Sequence, residues 1–123
     1  MCTILLSIKP EYSERILSGE KKFEFRRKLA TRKVSKILIY TSAPKMKVVG
    51  EVEVTGRLAL SPDKLWKKTS VAAGISQEKF MAYFSKTENA FAYQLGNVKK
   101  FKHERSLSDY GIKTPPQSFV YID

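Results

Sequence analysis

A chain of 123 residues, 42% apolar, with seven Phe, six Tyr and one Trp, can bury one ordinary core; this excludes intrinsic disorder and leaves little room for a second domain. Its 23 Lys and Arg against 12 Asp and Glu give a net charge of +11 and a pI near 9.8. A field of that size concentrates polyanions, with nucleic acid ahead of anionic membrane or acidic protein, although positive charge also serves solubility alone.

The single cysteine, Cys2, excludes an intrachain disulfide and reads as a small buried hydrophobe in an apolar run. His103 is the only histidine, so no Cys/His cluster can hold zinc, and no metal or other cofactor is expected. No apolar stretch approaches the ~20 residues of a membrane span. The N-terminus lacks a basic segment followed by a long apolar run. A cytoplasmic protein with no membrane partner is expected.

Cys2 to Ile8 is apolar and β-branched, a buried strand that stops at Pro10. Pro10 then suits a first helical turn, Tyr12, Ile16 and Leu17 share a face, and Gly19 suits a C-cap. Lys21 to Arg27 alternates, with Phe23 and Phe25 on one side and Lys22, Glu24 and Arg26 on the other, predicting a half-buried strand. A basic loop covers 28–35, and Lys36 to Tyr40 is a central strand. Val48 to Leu60 is a long strand in which Gly50 and Gly56 predict bulges or bends. Ser61-Pro62 and Ser76 open two helices carrying Leu65 and Trp66, then Phe80, Tyr83 and Phe84. Strand returns from Ala90 to Leu95, extending toward Lys102. A helical turn at 106–110 and a last strand, Ser118 to Ile122 after Pro115-Pro116, follow. Strands and helices do not alternate throughout, so a doubly wound parallel sheet is excluded. The order predicts an α+β fold, a small β-barrel of about five to six strands with peripheral helices, as one domain over 1–123.

Glu24 and Arg26 lie two apart on one strand face, where a carboxylate can accept from base N–H groups and a guanidinium can fork onto phosphate. An exposed ion pair worth under ~1 kcal/mol would have the same spacing. Lys21 is expected at the cleft mouth as a point charge for phosphate. Residues 21–36 hold eight Lys or Arg and one acid, Glu24, so Arg26, Arg27, Lys28, Arg32 and Lys33 are expected along a rim; a solvated loop is the plainer account. Between Val98 and Arg105, Phe101 and His103 stand among Lys99, Lys100 and Lys102, a pattern that suits base stacking but fits an ordinary half-buried strand better. Gln117 and Ser118 follow a rigid Pro pair that fixes their direction. Tyr40, Ser42 and Tyr93 are cleft candidates that packing would explain equally well.

Three segments together carry a resemblance: Ser7-Ile8-Lys9-Pro10, then Gly19-Glu20-Lys21-Lys22-Phe23-Glu24-Phe25-Arg26-Arg27, and finally Pro115-Pro116-Gln117-Ser118-Phe119-Val120-Tyr121-Ile122. The combination resembles the activating-signal-cointegrator homology (ASCH) domains of the PUA-like superfamily, in particular the small prokaryotic and phage-type members. The resemblance implies a PUA-like barrel with a cleft beside the first helix, holding RNA or a nucleotide-like ligand. With the local pattern, the expected ligand set is Lys9, Lys21, Glu24, Arg26, Arg27, Lys28, Ser42, Gln117 and Ser118. Some similar proteins are described as regulators with a helix-turn-helix domain, for which 123 residues leave no room. One superfamily branch hydrolyses an acylated nucleoside. Lys21 matches its lysine, but Glu24 stands at its threonine, and Gly74 falls near its distant acid. If the chain is an enzyme, Lys21 and Glu24 are the expected catalytic pair. Ribonuclease activity ranks lower because no histidine pair exists, and a basic protein-interaction module is the third class.

Overall fold

The computed structural model describes residues 2–122. Strand β1 (Cys2–Ile8) leads through helix α1 (Pro10–Ser18) into the short β2 (Phe23–Arg26), then β3 (Val34–Thr41) and the long β4 (Lys47–Leu60). Helix α2 (Pro62–Thr69), a 3-10 turn at Ser70–Ala72 and α3 (Gln77–Tyr83) follow. Then come β5 (Ala90–Arg105), a second 3-10 turn at Leu107–Tyr110 and β6 (Phe119–Ile122). No described helix is long and apolar enough to cross a membrane.

The six strands form one sheet in the order β2-β5-β4-β3-β1-β6. β1 runs parallel to β3, and every other neighbouring pair is antiparallel. The fold is α+β, as expected, but the barrel is loose: the sheet does not close, and β2 and β6 are its edges. Each edge strand has only four residues, and side chains bridge the gap that a ladder would fill. Arg26 Nη2 on β2 donates to the Ser7 carbonyl on β1 at 3.0 Å. The Arg32 N–H donates to the Tyr121 hydroxyl on β6 at 3.3 Å.

Curvature comes from β4. Its pairing with β5 shifts register between Val48 and Gly50 and again between Val54 and Gly56, beside the two glycines that predicted bends. At Gly50 a Cβ would lie 2.6 Å from the Lys99 carbonyl oxygen, so only glycine lets the strands approach there.

β1 is buried on both faces. Ile4, Leu6 and Ile8 join Ile16, Ile37, Ile39 and Tyr93 in one core layer; Leu5 points the other way, to Leu38, Tyr40, Val48 and Phe101. Tyr40 is therefore core, not a cleft residue. β5 continues through the basic stretch, placing Val98 in the first layer and Phe101 in the second, beneath the Arg105 guanidinium at 3.9 Å. Lys99, Lys100, Lys102 and His103 are exposed.

Helix α1 starts at Pro10, which loses no hydrogen bond in a first turn, and ends at Gly19, whose φ of +86° suits glycine alone. The Thr41 hydroxyl donates to that of Ser13 at 2.9 Å, tying α1 to β3. α2 and α3 build a third apolar cluster against β2, with Phe25, Leu65, Phe80 and Phe84 at its centre. Phe80 meets Phe25 edge-on at 5.0 Å and Phe84 at 4.9 Å. Replacing the fully buried Phe80 with Ala should cost about 3–5 kcal/mol in denaturant unfolding. A loss below 1 kcal/mol would show that α3 is not anchored this way.

Candidate ligand-binding cleft

A cleft of about 660 Å³ opens where β2, α1 and α3 meet. The end of β1 and the start of α1 contribute Ser7, Ile8, Lys9, Glu11 and Tyr12 to its walls. Lys21, Glu24, Phe25 and Arg26 come from β2 and its approach; Ile75, Lys79, Ala82 and Tyr83 come from α3 and the residues before it; Gln117 comes from the loop before β6. Four cations (Lys9, Lys21, Arg26, Lys79) face two carboxylates (Glu11, Glu24). Across the opening, Lys79 Nζ reaches Glu11 at 3.6 Å in an exposed pair.

Glu24 and Arg26 form the polar heart. Alternation along β2 puts both on one face, as the spacing predicted. Arg26 donates from Nε to Glu24 Oε2 at 3.0 Å, and its Nη2 approaches the same oxygen at 2.8 Å while also bonding the Ser7 carbonyl. The side chains are 15% and 8% exposed, so this is a buried pair rather than the exposed one that spacing alone allows. Arg26 is consequently a brace across the sheet gap. Nε and Nη2 are committed to protein oxygens, so it does not offer a free fork to phosphate.

Lys21 is 3% exposed, which corrects its expected place at the mouth. Its Nζ donates to the Ala73 carbonyl at 2.8 Å and lies 4.6 Å from the Phe25 ring centroid and 5.4 Å from that of Tyr12. Burial lowers its pKa from 10.5 to about 8; Glu24 opposes the shift, and Arg15 and Arg26 add to it. Three successive carbonyls hold this corner. Ala72 accepts from the Lys22 N–H at 2.9 Å, Ala73 from Lys21 Nζ, and Gly74 from Arg15 Nη1 at 2.9 Å. Gly74 has φ +64°, and a Cβ there would fall 2.5 Å from Lys21 Cβ. Gly74, which falls near the distant acid of the hydrolase branch, thus touches Lys21 but carries no side chain and has no room for one.

The other expected residues divide. Lys9 and Gln117 line the cleft. Ser118 does not, although its carbonyl accepts from the Ser7 N–H at 3.3 Å and so fixes the loop that presents Gln117. Arg27 lies 4.2 Å over the Tyr83 ring and donates to the Tyr83 carbonyl at 3.0 Å, outside the lining. Lys28 borders a separate groove of about 510 Å³ with Arg57 and Phe91. Ser42 also lies outside: its N–H is taken by the Ile8 carbonyl at 2.9 Å in the turn after β3. Arg32 stacks 4.3 Å over Tyr121 and Lys33 is exposed, so of the basic run 26–33 only Arg26 lines the cleft. Tyr93 is core, and its hydroxyl accepts from the Ala30 N–H at 2.8 Å. The sequence reading missed Ser7, Tyr12 and the α3 wall. The 79, 82, 83 spacing on α3 was the available signal, since it leaves those three on one face beside the buried Phe80.

The ASCH domain family matches residues 6–103, and the chain belongs to that family. An ASCH domain-containing ribonuclease from Zymomonas mobilis subsp. mobilis is 32% identical over 122 residues, covering 96% of this chain and 82% of that protein. The crystal structure of ASCH from Zymomonas mobilis superposes with a TM-score of 0.90 at 27% identity, over 98% of this chain and 87% of that one. Longer proteins of Ureaplasma parvum serovar 3 contain a similar segment. Large ribosomal subunit protein uL22 is 27% identical over 98% of this chain, which spans only 39% of that relative's length; for ATP synthase subunit alpha the share is 15%.

Two outcomes follow from the buried lysine. Lys21 binds fewer protons folded than unfolded between about pH 8 and pH 10.5, so wild-type stability should rise with pH across that window. Against Lys21→Met, the gain should reach about 3 kcal/mol, measured by denaturant unfolding at several pH values. Parallel pH profiles for the two proteins would contradict it. Gly74→Ala should cost about 1–3 kcal/mol through backbone strain and displacement of Lys21, read as a lower midpoint of denaturation.

Proposed function

We propose that this domain binds RNA, with a single-stranded segment seated in the cleft between β2, α1 and α3. The observation that carries the reading is convergence: Lys9, Lys21, Glu24, Arg26 and Gln117, drawn from both ends of the sequence, meet in one concave site. Tyr12, Phe25 and Tyr83 supply aromatic surface beside them, and mixed aromatic and cationic walls suit unpaired bases and their phosphates. A net charge of +11 draws the polyanion in. Membership of the ASCH family and similarity to an ASCH domain-containing ribonuclease support RNA as the polyanion.

The division of labour follows from burial. Lys9 and Lys79, both exposed, meet phosphate at the rim. The buried Glu24 and Lys21 meet the base. Binding of single-stranded RNA should be micromolar or weaker and fall steeply with salt, log K losing about 0.7 per decade of salt for each phosphate contacted. Lys9→Glu combined with Lys79→Glu should weaken binding at least about tenfold at low salt in fluorescence anisotropy, with the melting temperature kept. Unaltered affinity would move the RNA elsewhere, the exposed Lys99, Lys100 and Lys102 being the obvious alternative. Competition by an acidic protein but not by RNA would favour the interaction-module reading.

RNA cleavage is a second reading, raised above its rank in the sequence by two observations. The 32%-identical relative is a ribonuclease by name, and Lys21 has a pKa of about 8. A neutral amine can take a proton from a ribose hydroxyl without any histidine. Cleavage of a labelled RNA should then accelerate as pH rises through 8 and disappear in Lys21→Met. Intact RNA across pH 6 to 9 would leave binding alone.

A further inference from the structure

We propose that the cleft selects guanine, and that Glu24 is the residue that reads it; this rests on the RNA-binding reading above. The two Glu24 oxygens are not equivalent. Oε2 already receives Arg26 Nε and Nη2 at 3.0 and 2.8 Å, which exhausts its lone pairs. Oε1 has no partner among the described residues, yet no buried side-chain oxygen or nitrogen there lacks one, so Oε1 opens into the cleft that Glu24 lines. Glu24 therefore presents an oriented acceptor oxygen to the cleft, held in place by a guanidinium that is itself anchored to the Ser7 carbonyl.

Lys21 completes the pattern. One of its three N–H groups goes to the Ala73 carbonyl, and the ammonium otherwise faces the Phe25 and Tyr12 rings at the cleft wall. Acceptor and donor thus line the same cleft. Guanine matches them best. Its Watson–Crick edge sets the O6 acceptor beside two adjacent donors, N1–H and the 2-amino group, which Lys21 and Glu24 Oε1 can take respectively. Uracil has one donor between two carbonyls, so it leaves a lone pair of Oε1 empty and brings a second carbonyl toward the carboxylate. Adenine and cytosine place a ring nitrogen acceptor beside their only amino group. A site with a buried polar group discriminates strongly against ligands that leave it unpaired.

The test compares five labelled oligonucleotides by anisotropy: hexauridylate, and the same chain with one central G, inosine, A or C. The G oligonucleotide should bind about tenfold tighter than hexauridylate, with inosine between them because it lacks only the 2-amino donor. Glu24→Gln should bring the G-to-U ratio toward one; inosine tests the same contact from the ligand side should that variant not fold. Equal affinity for all five overturns the guanine assignment and leaves RNA binding standing. No binding to any of them, with the wild type folded, overturns both.

Discussion

A guanidinium occupies the place where a strand pairing is missing. β2 and β1 are not neighbours in the sheet, and Arg26 spans between them, one edge on Glu24 and one nitrogen on the Ser7 carbonyl. Had the edge strands β2 and β6 paired, the sheet would have closed instead of leaving two edges. Removing one partner of a pair this deeply buried leaves an uncompensated charge, at about 3–5 kcal/mol. The contact ties the cleft wall to β1 and fixes Glu24 where it lines the opening.

A second constraint comes from a segment distant from Lys21 in sequence. The segment 72–74 lies about fifty residues beyond Lys21, yet its three carbonyls take hydrogen bonds from Lys22, Lys21 and Arg15 in turn. That staple buries an ammonium without a carboxylate bonded to it, between two aromatic rings and one carbonyl. Burial then moves its proton affinity toward neutral pH. Gly74 is the small residue that permits it.

Much of this was legible in the residues. Pro10 and Gly19 bracket α1, Gly50 and Gly56 mark the register shifts of β4, and the alternation of 21–27 puts Glu24 and Arg26 side by side. Those are local signals, carried by φ restrictions and by the period of two. What stayed hidden depends on contacts distant in sequence. Lys21 looks like a surface lysine until the turn at 72–74 covers it. Ser42 and Lys28 sit next to plausible site residues in sequence, but a turn and a separate groove carry them away. The looseness of the barrel stayed hidden for a similar reason: closure depends on whether two four-residue strands meet, and neither strand's sequence records that.

The excess charge is spread over the surface rather than gathered in the cleft, where four cations meet two carboxylates. The RNA-binding proposal therefore assigns long-range attraction to the whole molecule and recognition to a few buried groups. Titration of isotope-labelled protein with a short single-stranded RNA, followed by backbone amide shifts, tests that separation most directly. Shifts should concentrate on residues 9–12, 21–26, 75–83 and 117, with small changes elsewhere. Strongest shifts along 99–105, with 21–26 unmoved, would contradict it.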